Sequence, residues 1–223
     1  MSDLLSRFTA LPPYGIGALL VLLLYALQSE VRFGPRARAM RPEKSDRMST
    51  LVLSIAGLVP VLGFALAMKA SSPGMATVLP RWFRGAAVPG LPATAWVGVA
   101  LAICGLALRL WAVLTLRERY TRTLLVNDGQ AVERGGPYRW VRHPGYLGSL
   151  MCLDGIALAS GNAVTLLASL VATGAAYAYR VRVEDAMLVA ALGTSYARYR
   201  EQVPALLPSF RSATVAGHSR RDA

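Results

Sequence analysis

Long apolar stretches alternate with short, arginine-rich polar segments along this chain. A helix needs roughly 20 apolar residues to cross the hydrocarbon core of a bilayer, or somewhat fewer when its polar ends reach the headgroups. Five stretches fit this requirement, at residues 13–27, 51–68, 94–116, 146–160 and 163–179. The pattern therefore predicts an all-α integral membrane protein with about five transmembrane helices.

The fourth and fifth predicted spans are separated only by Gly161 and Asn162, which predicts a tight helical hairpin. The fourth span is rich in small residues that let neighbouring membrane helices approach closely, among them Gly148, Ser149 and Gly155. Between the second and third spans, residues 71–92 hold Trp82 and Phe83 among prolines and glycines, which is typical of an interfacial loop.

The composition supports a membrane protein. Hydrophobic residues make up 54% of the chain and charged residues 16%, whereas soluble domains carry about 25% charged residues. The net charge of +12 would fit a nucleic-acid-binding protein if its distribution were ignored. However, 19 basic residues fall in the segments on one side of the predicted membrane and 4 on the other. The positive-inside rule then places the N-terminus outside and the C-terminus in the cytoplasm, so no nucleic-acid partner is expected.

The excess of arginine over lysine and the abundance of alanine indicate a prokaryotic plasma membrane as the location. Metal ligands are scarce, because Cys104 and Cys152 lie in apolar segments and the histidines are His143 and His218. We therefore expect no metal site.

Two charged residues fall at membrane depth, Arg109 in the third span and Asp154 in the fourth. Counted from the cytoplasmic ends of their helices, both lie about 10 to 12 Å deep at 1.5 Å per residue. Unpaired charges at this depth are costly, so the two side chains are expected to form an ion pair, or else one of them lines a polar substrate cavity.

A polar and aromatic cluster precedes and enters the fourth span, within residues 135–148. Pro144 suits the first turn of a helix, whose backbone amides could hold a carboxylate or phosphate. Tyr138, Trp140 and Tyr146 offer ring faces for a purine or a cation. The alternative is that these residues anchor the chain at the membrane interface.

A second cluster follows the fifth span. On a helix that continues past Tyr179, Arg180 and Glu184 share a face and Asp185 lies close by. The alternative is a solvated helix end with a weak salt bridge. Apolar positions then repeat at helical spacing up to Leu192, and Gly193 interrupts them, which predicts a cytoplasmic amphipathic helix near the C-terminus.

Together the two clusters resemble the isoprenylcysteine carboxyl methyltransferase family and the related membrane phospholipid methyltransferases. The first block of the resemblance is Gly136, Pro137, Tyr138, Arg142, His143, Pro144, Tyr146 and Gly148. The second is Arg180, Glu184, Asp185, Gly193, Tyr196, Tyr199 and Pro204. The family usually has a second glutamate where this chain has Asp185.

The resemblance implies an S-adenosylmethionine-dependent methyltransferase that acts on a lipophilic acceptor, most directly the carboxylate of a prenylcysteine-like or other isoprenoid or lipid substrate. Arg180 and Asp185 would be the catalytic residues, with Arg180 holding the acceptor and Asp185 shaping its pocket. The implied cofactor-binding residues are Tyr138, Arg142, His143, Pro144, Tyr146, Gly148 and Glu184.

The resemblance also sets the expected organisation of the chain. Residues 1–116 would form a three-span membrane part, 117–210 the catalytic core with the cofactor site, and 211–223 a disordered tail. A five-helix unit of this kind could work as a monomer, with the lipid bilayer and the acceptor as its partners. Two other functions stay open: an NADPH-dependent membrane reductase of the steroid or sterol reductase type, and a non-enzymatic membrane scaffold.

Overall fold

The computed structural model describes residues 25, 44–70, 74, 78–86, 88, 93–116 and 132–207. The chain in these ranges folds mainly into helices, joined by short turns. The helices are α1 (Lys44–Lys69), α2 (Arg81–Arg84), α3 (Ala93–Leu116), α4 (Pro144–Ala159), α5 (Ala163–Leu192) and α6 (Thr194–Gln202), with a 3₁₀ helix at Gly136–Arg139.

Three of these helices are long and apolar enough to cross a membrane: Met48–Lys69 of α1, all of α3 and all of α5. Helix α4 is apolar but has only 16 residues. The second to fifth predicted spans therefore correspond to α1, α3, α4 and the first part of α5. The first predicted span, residues 13–27, lies outside the described residues except for Tyr25, so the total of five spans stays a prediction, as does the disorder of residues 211–223.

The predicted hairpin is confirmed, since α4 ends at Ala159 and α5 begins at Ala163. Gly161 has a φ of 68°, a left-handed conformation that favours glycine. The Asn162 side chain caps α5 by accepting a hydrogen bond from the Thr165 backbone N–H at 3.0 Å. It also donates to the Phe83 carbonyl at 2.8 Å, so the segment around α2 is held against the hairpin.

Helices α3 and α4 form the closest helix pair, and small residues make this possible. A side-chain carbon at Gly105 would lie 2.5 Å from the Gly148 carbonyl oxygen, and one at Gly98 would lie 2.6 Å from the Gly155 carbonyl oxygen. No larger residue fits there without moving a backbone. The small residues of the fourth span therefore act as predicted, and they act mainly against α3.

Helix α1 packs against α5 and, to a smaller extent, against α4. A buried apolar cluster lies where α1, α3 and α4 meet and consists of Phe64, Ala102, Cys152 and Ile156. This packing fixes the start of α4 beside both α3 and the later turns of α5.

The prediction of an ion pair between Arg109 and Asp154 is wrong, because these two side chains bind different partners among the described residues. Arg109 instead donates to the Ser149 hydroxyl at 2.7 Å. Asp154 accepts from the Ser169 hydroxyl at 2.6 Å and from the Thr173 hydroxyl at 3.1 Å. Five residues along an α-helix amount to a rotation of about 140°, so Ser149 faces α3 while Asp154 faces α5.

Helix α5 continues without a break to Leu192, so the apolar positions after Val183 form its last turns. The chain turns at Gly193, where φ is 60°, and α6 follows as a separate helix of 9 residues. The cytoplasmic position of this C-terminal part remains a prediction.

Candidate active site

The two polar clusters, separated by about 40 residues of sequence, meet because α4 and α5 form a hairpin. Residues about equally far from Gly161 on the two helices lie at the same level. The rings of Tyr146 and Tyr177 accordingly lie 5.4 Å apart. The last turns of α5 extend beyond this level and face the residues that precede α4.

Asp185 is the most heavily hydrogen-bonded carboxylate of the cluster. Its Oδ2 binds the Arg142 guanidinium at 2.8 Å, and its Oδ1 lies 3.0 Å from His143 Nε2 and 2.5 Å from the Tyr196 hydroxyl. The contact with His143 is a hydrogen bond when Nε2 carries a proton, since a carboxylate only accepts. Asp185 thus connects the start of α4, the end of α5 and α6.

A second chain of hydrogen bonds runs through Tyr146. Its hydroxyl accepts from Arg180 Nε at 3.0 Å and donates to Glu184 Oε2 at 2.5 Å. The His143 ring stacks on the Tyr146 ring with centroids 5.4 Å apart and planes inclined by 8°. The predicted cluster of Arg180, Glu184 and Asp185 is therefore partly buried and connected to the first block, which differs from a solvated helix end.

Arg180 is almost fully enclosed, with 2% of its surface exposed. Besides Tyr146, its guanidinium contacts two hydroxyl groups of α1. Nη1 donates to Ser49 Oγ and, at 3.2 Å, to Thr50 Oγ1. These two residues belong to neither block, and no motif in the sequence pointed to them.

Arg142 also holds the end of α6 and the segment that follows it. Its guanidinium donates to the carbonyls of Arg200, at 3.0 Å, and Val203. The backbone N–H groups of Arg142 and His143 donate to the carbonyls of Pro204 and Ala205 at 2.8 and 3.0 Å. These two amides precede α4. Within its first turn, where the sequence suggested an anion could bind, the amides of Tyr146 and Leu147 donate to the His143 carbonyl at 3.0 Å.

The aromatic residues of the first block have different surroundings. Tyr138 is buried in the 3₁₀ helix, and its carbonyl accepts from the Tyr199 hydroxyl at 2.5 Å. Trp140 is exposed, with its ring 5.6 Å from that of Trp111 and the Arg139 guanidinium 4.1 Å above it. Among the three predicted ring faces, only that of Tyr146 lies in the polar cluster, and Trp140 fits the alternative of an interfacial anchor.

Pro144 occupies the first turn of α4, as predicted. Gly148 is buried against Gly105 and Arg109 of α3. Its contacts therefore support a packing role, apart from the polar cluster.

The hydroxyl groups of Tyr196 and Tyr199 stay protonated at neutral pH. Burial raises the pKa of Tyr199 to about 12. Burial and the hydrogen bond to Asp185 raise the pKa of Tyr196. Both residues therefore act as fixed hydrogen-bond donors that tie α6 to the rest of the cluster.

In the described part of the chain, no group of three or more histidine, cysteine, aspartate or glutamate side chains could hold a metal ion. The cluster instead offers one enclosed guanidinium, Arg180, beside a carboxylate, Glu184, whose side chain is 23% exposed. Such an arrangement can bind a molecule that carries both a positive and a negative group.

Comparison with known sequences gives a consistent result. Residues 97–190 match the profile of the isoprenylcysteine carboxyl methyltransferase (ICMT) family. Protein-S-isoprenylcysteine O-methyltransferase A of Arabidopsis thaliana is 30% identical over 125 residues, which cover 54% of this chain and 64% of that protein. The corresponding protein of Schizosaccharomyces pombe is 41% identical over 86 residues, which cover 38% of this chain and 33% of that protein.

The fold is also similar to that of a solved structure, the eukaryotic intramembrane Ras methyltransferase ICMT. The TM-score is 0.58 with 17% sequence identity, and the match covers 92% of this chain and 71% of that one. The chain spans only part of the curated relatives, since the matched parts make up 33 to 64% of their lengths. The sequence match and the shared helical membrane fold agree with the two blocks of motif residues, and residues 97–190 of this chain are similar to the isoprenylcysteine carboxyl methyltransferase family.

Proposed function

We propose that this protein is a membrane methyltransferase that uses S-adenosylmethionine to methylate the carboxylate of a prenylcysteine-like or other isoprenoid or lipid acceptor. The observation that carries the proposal is the Arg180–Tyr146–Glu184 chain. A positive and a negative side chain lie on either side of the Tyr146 hydroxyl, and this supports the proposal that Arg180 holds the acceptor and Glu184 the cofactor. The family of residues 97–190 supplies the reaction type.

The side chains of the cluster fit S-adenosylmethionine. When bound, this cofactor supplies an electrophilic methyl group on a sulfonium, and it also carries an ammonium group and ribose hydroxyls. Glu184 could accept from these groups, since its carboxylate is partly exposed and its described hydrogen bond is to Tyr146. Asp185 is less able to do so, because three donors of the protein already surround it.

Arg180 is the residue proposed to hold the acceptor. A free carboxylate is ionised at neutral pH, so it needs orientation but no strong general base. The protein would accelerate the reaction mainly by placing the reacting groups in line and by excluding water. The burial of Arg180 supports this role, because a guanidinium in a water-poor site attracts a carboxylate more strongly than it would in water.

Asp185 and Arg142 are proposed to act indirectly. Their ion pair, together with the hydrogen bonds of Arg142 to the Arg200 and Val203 carbonyls, connects the start of α4 with the ends of α5 and α6. Asp185 would then shape the pocket by positioning Arg142, His143 and Tyr196. These contacts support positioning over a direct contact of Arg142 with the cofactor.

The NADPH-dependent reductase is the weaker alternative, because the family match includes Arg180, Glu184 and Asp185 together with the first block. We further propose that the site faces the cytoplasm of a prokaryotic plasma membrane, as the distribution of basic residues suggests. The boundary between residues 116 and 117 remains a prediction, and the family match begins before it.

The test is to measure binding of S-adenosylmethionine and of NADPH to the purified protein in detergent. We expect micromolar binding of S-adenosylmethionine, at least tenfold weaker in Glu184→Ala, since an acceptor of hydrogen bonds from charged groups is lost. Glu201→Ala is the matched control, because Glu201 is an exposed carboxylate on α6. Binding of NADPH alone would refute the proposal.

Methyl transfer is then followed with a labelled donor and an S-farnesylated cysteine derivative as acceptor. The methyl ester of the same compound is the negative control, because it has no free carboxylate. Incorporation into the free acid but not into the ester is the expected result. Binding of the cofactor without methylation of any isoprenoid carboxylate would contradict the proposed acceptor class.

A further inference from the structure

Helix α1 lies outside both motif blocks and outside the family match at residues 97–190, yet it reaches the proposed acceptor-binding residue. Ser49 is fully buried, and its hydroxyl accepts a hydrogen bond from Arg180 Nη1. The Thr50 hydroxyl accepts from the same nitrogen at 3.2 Å. With the bond from Nε to Tyr146, three contacts from two other helices fix the plane of the guanidinium.

The chemical nature of these partners matters. A carboxylate at position 49 or 50 would form an ion pair with Arg180 and compete with a substrate carboxylate. A hydroxyl accepts a hydrogen bond and orients the guanidinium without neutralising its charge. Two hydroxyl acceptors on α1 therefore suit an arginine that must be fixed in orientation.

We propose that Ser49, assisted by Thr50, is a positioning residue for Arg180, so that α1 contributes to binding the carboxylate of the methyl acceptor. The inference rests on the proposed function, since it assigns to Arg180 the acceptor carboxylate. It adds a contribution from a part of the chain that the family match does not include. The acceptor class is a lipophilic carboxylate whose apolar portion lies along the membrane helices.

The test compares Ser49→Ala, Ser49→Thr and Thr50→Val in the full-length protein. The assay is methyl transfer to an S-farnesylated cysteine derivative. We expect Ser49→Ala to raise the KM for this acceptor about tenfold, as for loss of a hydrogen bond to a charged group, with kcat changed less than twofold. Ser49→Thr keeps a hydroxyl and should restore most of the acceptor affinity. Thr50→Val keeps the branched shape and should raise the KM to a smaller extent.

Ser54→Ala is the matched control, because Ser54 lies on the same helix, is exposed and binds the Thr50 carbonyl. Its KM and kcat should equal those of the wild type. Binding of S-adenosylmethionine, measured separately, should be unchanged in all variants. A merely structural role would instead lower cofactor binding, kcat and thermal stability together.

The outcomes separate the two proposals. If the wild type methylates the acceptor and both Ser49→Ala and Thr50→Val have the wild-type KM, the positioning role is wrong and the proposed function stands. If the wild type binds the cofactor but methylates no isoprenoid carboxylate, the proposed function is wrong. The positioning role of Ser49 is then wrong as well, because it depends on Arg180 binding the acceptor carboxylate. If Ser49→Ala does not fold, Thr50→Val decides.

Discussion

Replacing Asp185 by asparagine should destabilise the folded protein and weaken cofactor binding. Asparagine keeps the size of the side chain but removes its charge. Arg142 would then lose its carboxylate partner while it is still enclosed, since the Arg142 and Asp185 side chains are each 10% exposed. The amide nitrogen of asparagine would face either Arg142 or the pair of His143 and Tyr196, so at least one of the present hydrogen bonds would be lost.

The size of the effect follows from this burial. Removing one partner of a buried ion pair costs about 3–5 kcal/mol, and at 10% exposure solvent screening reduces this only slightly. For a chain of this size, 1 kcal/mol corresponds to about 2–4 °C in Tm, so we expect Tm to fall by about 6–20 °C. The fall is measured by thermal unfolding in detergent, followed by tryptophan fluorescence.

Glu201→Gln is the control, because it removes a charge from an exposed carboxylate on α6 and should leave Tm within about 2 °C. A similarly small change for Asp185→Asn would refute the reasoning. It would mean that the ion pair with Arg142 contributes nothing measurable.

Asp185→Glu tests what this carboxylate does. The longer side chain is usual in the family and keeps the charge, so the fall in Tm should be smaller than for asparagine. We expect acceptor preference to stay unchanged, because Asp185 contacts protein donors. A changed preference among lipophilic carboxylates would instead place Asp185 in contact with the substrate.

Two further predictions concern the membrane helices. Gly105→Ala should lower Tm, since the added carbon would lie 2.5 Å from the Gly148 carbonyl oxygen and overpacking costs about 1–3 kcal/mol. Gly174→Ala is the control and should leave Tm unchanged or slightly raised, because no atom lies within 4 Å of the added carbon. Equal Tm values for both variants would argue against the close α3–α4 contact. Arg109→Ala and Asp154→Ala should destabilise the protein additively, to within about 0.5 kcal/mol in a double-mutant cycle, because their described partners are different residues. A double variant that is more stable than the sum of the two single changes would instead indicate an ion pair between Arg109 and Asp154.

The sequence predicted the helices and the hairpin because the signals for both are local. The apolar stretches at residues 51–68 and 94–116 lie within α1 and α3, and Gly161 with Asn162 marks the turn between α4 and α5. A span of apolar residues must satisfy its backbone hydrogen bonds within itself in a bilayer, so its length and composition alone predict a helix. The resemblance to the family implied that both motif blocks contribute to one site, and the structure brings these residues of the two blocks into contact: Arg142, His143, Tyr146, Arg180, Glu184 and Asp185.

Only the tertiary structure decided which side chains pair. Arg109 and Asp154 have compatible charges and depths, but the rotation of α4 turns Asp154 towards Ser169 and Thr173 of α5. Ser49 reaches Arg180 across 131 residues of sequence because α1 packs against α5. The apolar pattern specifies that a helix exists and how deep a residue lies, whereas its partner depends on helix rotation and on which helices are neighbours. These are set by close contacts between helices, such as that of Gly105 with Gly148, which involve residues far apart in the chain.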